Sequence, residues 1–282
     1  MPQTRPVDAH HHLWRYTPEE YAWITGDLEV LRRDWLPRDL RPLLDEAGIT
    51  GAIAVQARQT IAETEWLLEE TRNHPWIEGA VGWLPLASAD FPGSYEATLS
   101  RDRLKGLRHI VQDEPDDDFI LSAAFNRGVR ALCGTGLVYD ILIHTRHLPQ
   151  AIQFVDAHPD QPFVLDHCAK PPLRSGDLAF WSTHIRELAR RPNVACKLSG
   201  LVTEADWQHW SDAELEPCWQ VLLHAFGPAR LMFGSDWPVA LLASSYQRWV
   251  DTVRSWTGSL SADEQASIWG GTARRLYGLE PD

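Results

Sequence analysis

Eight short apolar segments, rich in β-branched residues and bounded by turn residues, recur along the chain. They begin roughly 25 to 45 residues apart, which is the spacing expected when each strand is followed by a helix that leads to the next parallel strand. This repetition constrains the fold more than any other feature of the sequence. The segments are Pro6–His10, Ile49–Ala57, Ile77–Leu86, Leu104–Val111, Leu137–Ile143, Pro162–His167, Asn193–Gly200 and Arg230–Ser235.

The sequence between these segments has helical periodicity. Leu148, Ile152 and Val155, for example, are spaced so that they share one face of a helix. Alternating strands and helices, with no linker or change in composition between them, predict a single α/β domain over residues 1–282 in the form of a (β/α)8 TIM barrel. The length of 282 residues agrees, since single-domain barrels of about 250 residues are common.

Composition excludes several classes of partner. The formal net charge of −13 argues against nucleic acid and anionic membrane surfaces, because both bind clusters of lysine and arginine. No stretch approaches the roughly 18 apolar residues of a membrane-spanning helix, and Met1–Val7 lacks the apolar core of a secretory signal. With four cysteines and no CxxC pair, we expect a cytoplasmic protein with reduced thiols. The sequence does not determine an oligomeric state.

The first strand ends in a run of three histidines, His10, His11 and His12. Because side chains alternate along an extended chain, His10 and His12 are expected to point together into the barrel mouth, with His11 pointing the other way. The active site of a barrel of this kind forms at the carboxyl ends of its strands. Two histidines with this spacing suit a metal-ligand pair or an electrophilic pair; the alternative is a solvent-exposed histidine run.

Two later strands also end in polar residues. The sixth runs into LDHCAKP, which places His167 and Lys170 at the mouth. Lys170 could polarise a carbonyl group or hold a hydroxyl, and the simpler alternatives are a rim histidine and a solvated lysine. The eighth strand runs into FGSDWP, which places the Asp236 carboxylate at the mouth, unless Asp236 caps the next helix.

The remaining strands offer weaker candidates. Arg108 on strand 4 could bind a carboxylate or carbonyl oxygen through its planar guanidinium, or form a buried ion pair. His109, next to it, could contact substrate or be structural. Strand 7 supplies Lys197 as a second cation, and strand 5 is ambiguous, with Asp140 inside it and His144 just beyond it.

Aromatic and acidic residues lie beside these motifs. Most of the 14 tryptophans are expected to pack helices and loops against the barrel. Trp14, Trp83 and Trp237 could instead stack on the apolar C–H face of a sugar ring. The acidic run Asp113–Asp118 is expected to be a solvated turn, although it could close over a substrate.

Taken in order, the stretches DAHHHLW, GLRHIVQDEP, HLP with FVLDHCAKP, KLSGLVTEADW and MFGSDWPV resemble the lactonase branch of the amidohydrolase superfamily, amidohydrolase family 2. The sequence is most similar to the L-fuconolactone and L-rhamnono-lactone hydrolases of that branch, from about residue 6 to residue 278. Each motif is weak alone, but their order and their positions at strand ends are specific.

The resemblance implies a distorted, amidohydrolase-like barrel that opens sugar-acid lactones, which makes it a carboxylic-ester hydrolase of carbohydrate metabolism. It implies that Asp236 acts as general base on the attacking water and that His10, His12 and His167 line the site. The substrate contacts that we expect are Arg108, His109, Trp14, Lys170 and Trp83.

A divalent metal such as zinc, held by His10, His12, His167 and Asp236, could share this chemistry. Metal-dependent members of the superfamily usually add a carbamoylated lysine or a histidine from strand 4 or 5. Here strand 4 offers Arg108 and His109 and strand 5 at most His144. We therefore expect that no metal is strictly required.

Three alternatives remain open. The first is a metal-dependent hydrolase or decarboxylase of the same superfamily that acts on another small carboxylated or lactone substrate. The second is a catalytically inactive barrel that only binds sugar acids. The third is a dicarboxylate-lactone hydrolase, which would need two or more arginines in the mouth, whereas the sequence places only Arg108 there. A neutral sugar lactone of unknown stereochemistry and ring size is favoured.

Overall fold

A computed structural model describes residues 5–99 and 101–279 of the protein. The predicted domain covers residues 1–282, so residues 1–4, 100 and 280–282 of it lie outside the described residues. The eight strands are β1 Val7–His11, β2 Gly51–Val55, β3 Ile77–Gly82, β4 Leu104–Ile110, β5 Val138–Leu142, β6 Phe163–Leu165, β7 Val194–Leu198 and β8 Leu231–Phe233.

Helices follow the strands and cover the outside of the sheet. No helix of the described residues is long and apolar enough to cross a membrane. The α-helices are α1 Pro37–Glu46, α2 Ile61–Asn73, α3 Glu96–Leu99, α4 Ala123–Arg130, α5 Leu148–Asp156, α6 Ala179–Leu188, α7 Leu201–Glu204, α8 Asp212–Phe226, α9 Tyr246–Thr257, α10 Ala262–Ala266 and α11 Thr272–Leu276, with a π-helical turn, Ser267–Gly271, between the last two.

All neighbouring strands are parallel, in the order β1 to β8. The chain after β8 returns to β1, where the backbone N–H of His12 donates to the carbonyl of Trp237 over 2.6 Å and that of Asp236 to the carbonyl of His10 over 2.8 Å. The predicted (β/α)8 barrel is confirmed.

Small and β-branched side chains fill the floor of the barrel. They form one buried cluster that is closed from below by Tyr277 and Leu279. Its strand members are Val7, Ala9, Ile53, Val55, Val81, Val138, Val164, Ala195 and Met232.

A β-bulge changes the direction of the side chains in β1. The pairing of β1 with β2 shifts register between Asp8 and His11. Val7 and Ala9 face the interior below the shift, and His10 faces the same interior above it, where it contacts Asp166. Bulges of this kind commonly re-aim a side chain beside an active site.

Most strands end earlier than the sequence predicts, and two of these differences bear on the site. Strand 6 was expected to extend to His167 and strand 8 to Ser235, but β6 ends at Leu165 and β8 at Phe233. His167 and Asp236 both have positive φ angles, which an extended strand does not allow. Both side chains therefore sit on sharp turns just beyond the strands.

Candidate active site

Four side chains that are far apart in the sequence meet at the mouth of the barrel and are called here the mouth cluster: His10, His12, His167 and Asp236. The Nε2 atoms of His10 and His12 are 3.2 Å apart. Asp236 Oδ1 lies 3.4 Å from His12 Nε2 and 3.8 Å from the Nε2 atoms of both other histidines. All four residues are buried.

Hydrogen bonds behind the rings determine which imidazole nitrogens face the cluster. His12 Nδ1 lies 2.8 Å from the carbonyl oxygen of Val55. A carbonyl can only accept, so we assign the ring proton to Nδ1, and in the neutral ring Nε2 keeps its lone pair. Arg108 Nη1 donates toward His10 Nε2 over 3.4 Å, which makes that nitrogen an acceptor too. Acceptor atoms therefore converge on one point.

Both turns that carry the cluster are held by neighbouring strands. His167 Nδ1 lies 2.9 Å from the hydroxyl of Ser199. Gly200 packs against the His167 ring so closely that a Cβ there would lie 2.6 Å from Nδ1, which excludes any larger residue. Asp236 adopts the left-handed conformation, which Asp and Asn tolerate better than most residues.

The cluster fits a divalent metal ion. The ligand atoms of His10, His12 and Asp236 lie within 4.8 Å of one another, as do those of His10, Asp166 and His167. Imidazole nitrogens and a carboxylate form a donor set that divalent metals such as zinc bind. The Arg108 guanidinium beside His10 Nε2 is a fixed positive charge that opposes a second cation.

Arg108 forms the floor of the mouth. Its Nη1 donates to Asp166 Oδ2 over 2.9 Å. Its Nη2 donates to the side-chain oxygen of Gln56 over 3.0 Å and to the Gln56 carbonyl. Arg108 is therefore held rigidly, in the buried ion pair that was the alternative reading of the sequence, while it also lines the cavity.

A second buried cation lies beneath His10. Lys197 Nζ is 2.5 Å from Asp140 Oδ2, 3.0 Å from Asp166 Oδ1 and 3.3 Å from His10 Nδ1. The hydroxyl of Tyr277 donates to Asp140 over 2.8 Å. Burial raises the pKa of Asp140 to about 6 despite the attraction of Lys197. Lys197 does not reach the cavity, and its role is to support His10 and Asp166 from below.

Burial sets the protonation of the mouth cluster. It lowers the pKa of His10 well below its ordinary value and that of His167 to about 4, against the attraction of the nearby carboxylates. Burial works against ionisation of Asp236 as well, but His167, the contact with His12 and Lys170 outweigh it and hold the pKa of Asp236 below its usual value. His10 and His167 are therefore neutral beside an ionised Asp236 carboxylate at neutral pH.

A cavity of about 700 Å³, counting space open to solvent, lies above the cluster. Trp14 and Lys170, both expected substrate contacts, line it, and the Trp14 indole N–H is engaged by the carbonyl of Arg33 over 3.0 Å. The further lining residues are Trp23, Ala57, Ile110, Gln112, Asp113, Leu142, Thr203 and Val239.

His109 and Trp83 do not line the cavity, so we do not retain them as substrate contacts. The Trp83 indole N–H donates to His109 Nδ1 over 3.2 Å, and His109 Nε2 is 2.6 Å from Glu114. The His109 ring also stacks on Phe119. The reason is alternation: Arg108 faces into the barrel, so the next residue must face out. Trp237 is buried against Trp35 and is also outside the cavity lining.

Sequence reasoning missed several residues of the site. Asp166 belongs to the LDHCAKP motif but is not among the predicted site residues, although it joins both buried cations. Gln112 and Thr203 follow strand ends, a position that could have identified them, whereas Asp113 begins the acidic run for which the sequence allows a place over the substrate. Trp23 lies in a long loop that no periodic pattern connects to the site. His144, left open, does not line the cavity.

A parallel eight-stranded barrel with imidazoles and a carboxylate at the carboxyl ends of its strands defines a TIM-barrel protein of the amidohydrolase type. Residues 7–279 match the amidohydrolase family model (Amidohydro_2), and the chain belongs to that family. The family resemblance seen in the sequence is confirmed.

Individual relatives are similar over nearly their whole length. An L-fucono-1,5-lactonase of Burkholderia multivorans is 44% identical over 97% of this chain and 96% of its own. Another, from Burkholderia ambifaria, is 36% identical over the same shares of the two chains. A crystal structure of an amidohydrolase from Burkholderia multivorans with bound zinc has a TM-score of 0.95 and 44% identity, covering 98% of this chain and 100% of that chain.

Proposed function

We propose that the protein hydrolyses the lactone of a neutral sugar acid, with Asp236 as the general base. The observation that carries the proposal is the convergence of His10, His12 and His167 on one ionised carboxylate oxygen, at 3.4 to 3.8 Å. The two lactonases at 44% and 36% identity support the substrate class.

The reaction needs an activated water and a polarised carbonyl group. Asp236 takes the proton of the water as its oxygen attacks the lactone carbonyl, a contribution of roughly 10² to 10⁴-fold. His12 and His167, on either side of the carboxylate, hold the water. Electrostatic stabilisation of a developing oxyanion is worth roughly 3–4 kcal/mol. Arg108, whose Nη hydrogens are already donated to Asp166, His10 and Gln56, contributes its fixed positive charge beside the cluster. The ring C–O bond then breaks, and the proton held by Asp236 passes to the leaving oxygen.

Zinc is the metal that best suits this donor set. Bound by His10, His12 and Asp236, it would polarise the carbonyl group and make the water more acidic. A lactone is more electrophilic than an amide, so the residues of the chain alone can support the reaction, and we propose that zinc is not strictly required.

The lining favours an uncharged, hydroxylated ligand. Among the described residues of the lining, Arg108 is the one arginine, and it is already paired with Asp166. Asp113 adds a negative charge that would repel a dicarboxylate, while Gln112 presents a buried oxygen that accepts no hydrogen bond within the described chain. Such an acceptor suits a sugar hydroxyl group. The exposed Trp23, which packs against the buried Trp14, suits the apolar face of the ring.

The test is acid release, followed with a pH indicator, from a panel of 1,4- and 1,5-aldonolactones by purified protein of measured metal content. We expect turnover of at least one neutral sugar lactone, retained after chelation, and none of a dicarboxylated pyrone lactone. No acid release from any sugar lactone would overturn the proposed function. Loss of activity with chelator, restored by zinc, would overturn the metal-independent route alone.

A further inference from the structure

The segment from His167 to Lys170 forms a left-handed turn. Its four residues, none of them glycine, have φ angles of 50° to 57°. In this conformation the Cβ atom crowds the following carbonyl oxygen, so successive left-handed residues are rare outside glycine. Such a turn persists only where its surroundings hold it in place, and its two ends carry His167 and Lys170 into the active site.

Separate groups hold the two ends of the turn. Ser199 and Gly200 hold the His167 ring, as described above. The middle is held by the Trp181 indole N–H, which donates to the carbonyl of Cys168 over 2.7 Å. The His167 end therefore does not depend on contacts at the far end of the turn.

Thr145 holds the Lys170 end. It lies just beyond β5, and its Oγ1 is 2.9 Å from the carbonyl oxygen of Ala169 and 2.7 Å from that of Lys170. A hydroxyl has one hydrogen, which Thr145 shares between these two carbonyls. Thr145 does not line the cavity, so it contacts the active site only through the backbone of the turn.

We propose that Thr145 is a positioning residue that fixes Lys170 over the substrate, an inference that rests on the proposed function. Lys170 is half-buried and lines the cavity, where its ammonium group can donate to the sugar hydroxyls. A lysine side chain is flexible, so the space that its ammonium group can occupy depends on the position of its Cα atom. Without the Thr145 hydroxyl, the strained end of the turn can relax and move Lys170 away.

The test compares Thr145→Val, which removes the donor at nearly constant shape, with Thr145→Ser, which keeps it. On the lactone that the wild type hydrolyses, we expect Thr145→Val to lower kcat/KM by about tenfold or more, mainly through KM. Thr145→Ser should stay within about threefold of the wild type. In a Lys170→Met background, Thr145→Val should have an effect of less than about threefold, since residues that act through one another are not additive.

An equal loss from Thr145→Val with and without Lys170 would overturn the inference, as would an unchanged KM in the single variant. Thermal unfolding checks that the variants are folded, and Thr145→Ala replaces Thr145→Val if that protein does not fold. Wild-type turnover is measured first, so a failure of the proposed function is seen before any variant is compared. In that event, a crystal structure of Thr145→Val tests whether Thr145 holds the Lys170 end of the turn. Unchanged φ angles of Ala169 and Lys170 would overturn that part of the inference.

Discussion

At the scale of single residues, the proposed chemistry depends on the protonation of His167 and Asp236. The Asp236 carboxylate must be ionised to accept a proton from water. A protonated His167 would form an ion pair with this carboxylate and make it a weaker base. Burial lowers the pKa of His167 to about 4, so its ring stays neutral above that pH. The pKa of Asp236 lies below its ordinary value. The site is therefore built to keep its base available in mildly acidic solution.

The pH dependence of kcat/KM follows from these shifts. We expect kcat/KM for a sugar lactone to be nearly constant between about pH 8 and 5.5 and to fall by half near pH 4, where His167 gains a proton. Circular dichroism at each pH separates this loss from unfolding. A half-loss near pH 6.5, the ordinary value for histidine, would contradict the assignment.

His11 is a buried histidine outside the mouth cluster, and its pKa affects stability instead of the proposed chemistry. Neither of its ring nitrogens has a hydrogen-bond partner within the described chain, and burial lowers its pKa to about 3. Between that value and 6.5 the unfolded chain binds a proton that the folded protein does not. Stability from this position therefore increases with pH across that range.

Replacing His11 with phenylalanine should remove this dependence. In urea titrations, the wild type should lose about 2 kcal/mol of unfolding free energy between pH 7 and pH 5 that His11→Phe does not lose. His224→Phe, a change at an exposed histidine, is the control and should retain the wild-type dependence. The same pH dependence in His11→Phe and wild type would show that His11 is not the group responsible.

At the scale of elements, the junction between β1 and β8 builds the site. Asp8 accepts hydrogen bonds from the backbone N–H groups of Ser235, over 2.8 Å, and His10, over 3.1 Å, and from the hydroxyl of Tyr246. One buried carboxylate thus joins the bulged strand that carries His10 to the turn that carries Asp236. The junction that closes the barrel between β1 and β8 therefore also positions His10 and Asp236.

Loss of this carboxylate should destabilise the fold. Asp8→Ala leaves buried N–H groups without an acceptor, so we expect the unfolding free energy at pH 7 to fall by about 3 kcal/mol. Tyr246→Phe removes one hydrogen bond and leaves the carboxylate in place, which should cost about 1 kcal/mol. Equal losses in the two variants, measured by urea unfolding, would mean that Asp8 does not join the strands as described.

Part of this arrangement can be predicted from the sequence, and part depends on tertiary contacts that the sequence pattern does not indicate. The spacing of the apolar segments predicts the barrel, and the polar residues after them predict the mouth cluster. The bulge at Asp8–His11 and the left-handed turn after β6 leave no periodic signal, because both depend on tertiary contacts with β8 and Thr145. The sequence also does not distinguish the places of Arg108 and His109, since these depend only on the side of the strand that each side chain faces.

At the scale of the whole molecule, one closed barrel brings together side chains from β1 and from the turns after β6 and β8. Below them lies a buried layer of alternating charges, in which Arg108 and Lys197 neutralise Asp166 and Asp140. Each charge in that layer is paired, as burial requires. Among the described contacts, Asp236 pairs with histidines and with neither cation of this layer, as the proposed base requires.

The most direct measurement is the steady-state kinetics of Asp236→Asn on the lactone that the wild type hydrolyses. Asparagine keeps the shape and tolerates the left-handed backbone, but it cannot accept the proton of the water. We predict a fall in kcat of roughly 10² to 10⁴-fold with KM changed by less than about threefold. Asp156→Asn, at a surface carboxylate paired with Arg191, should match the wild type. Near-normal turnover by Asp236→Asn would contradict the account.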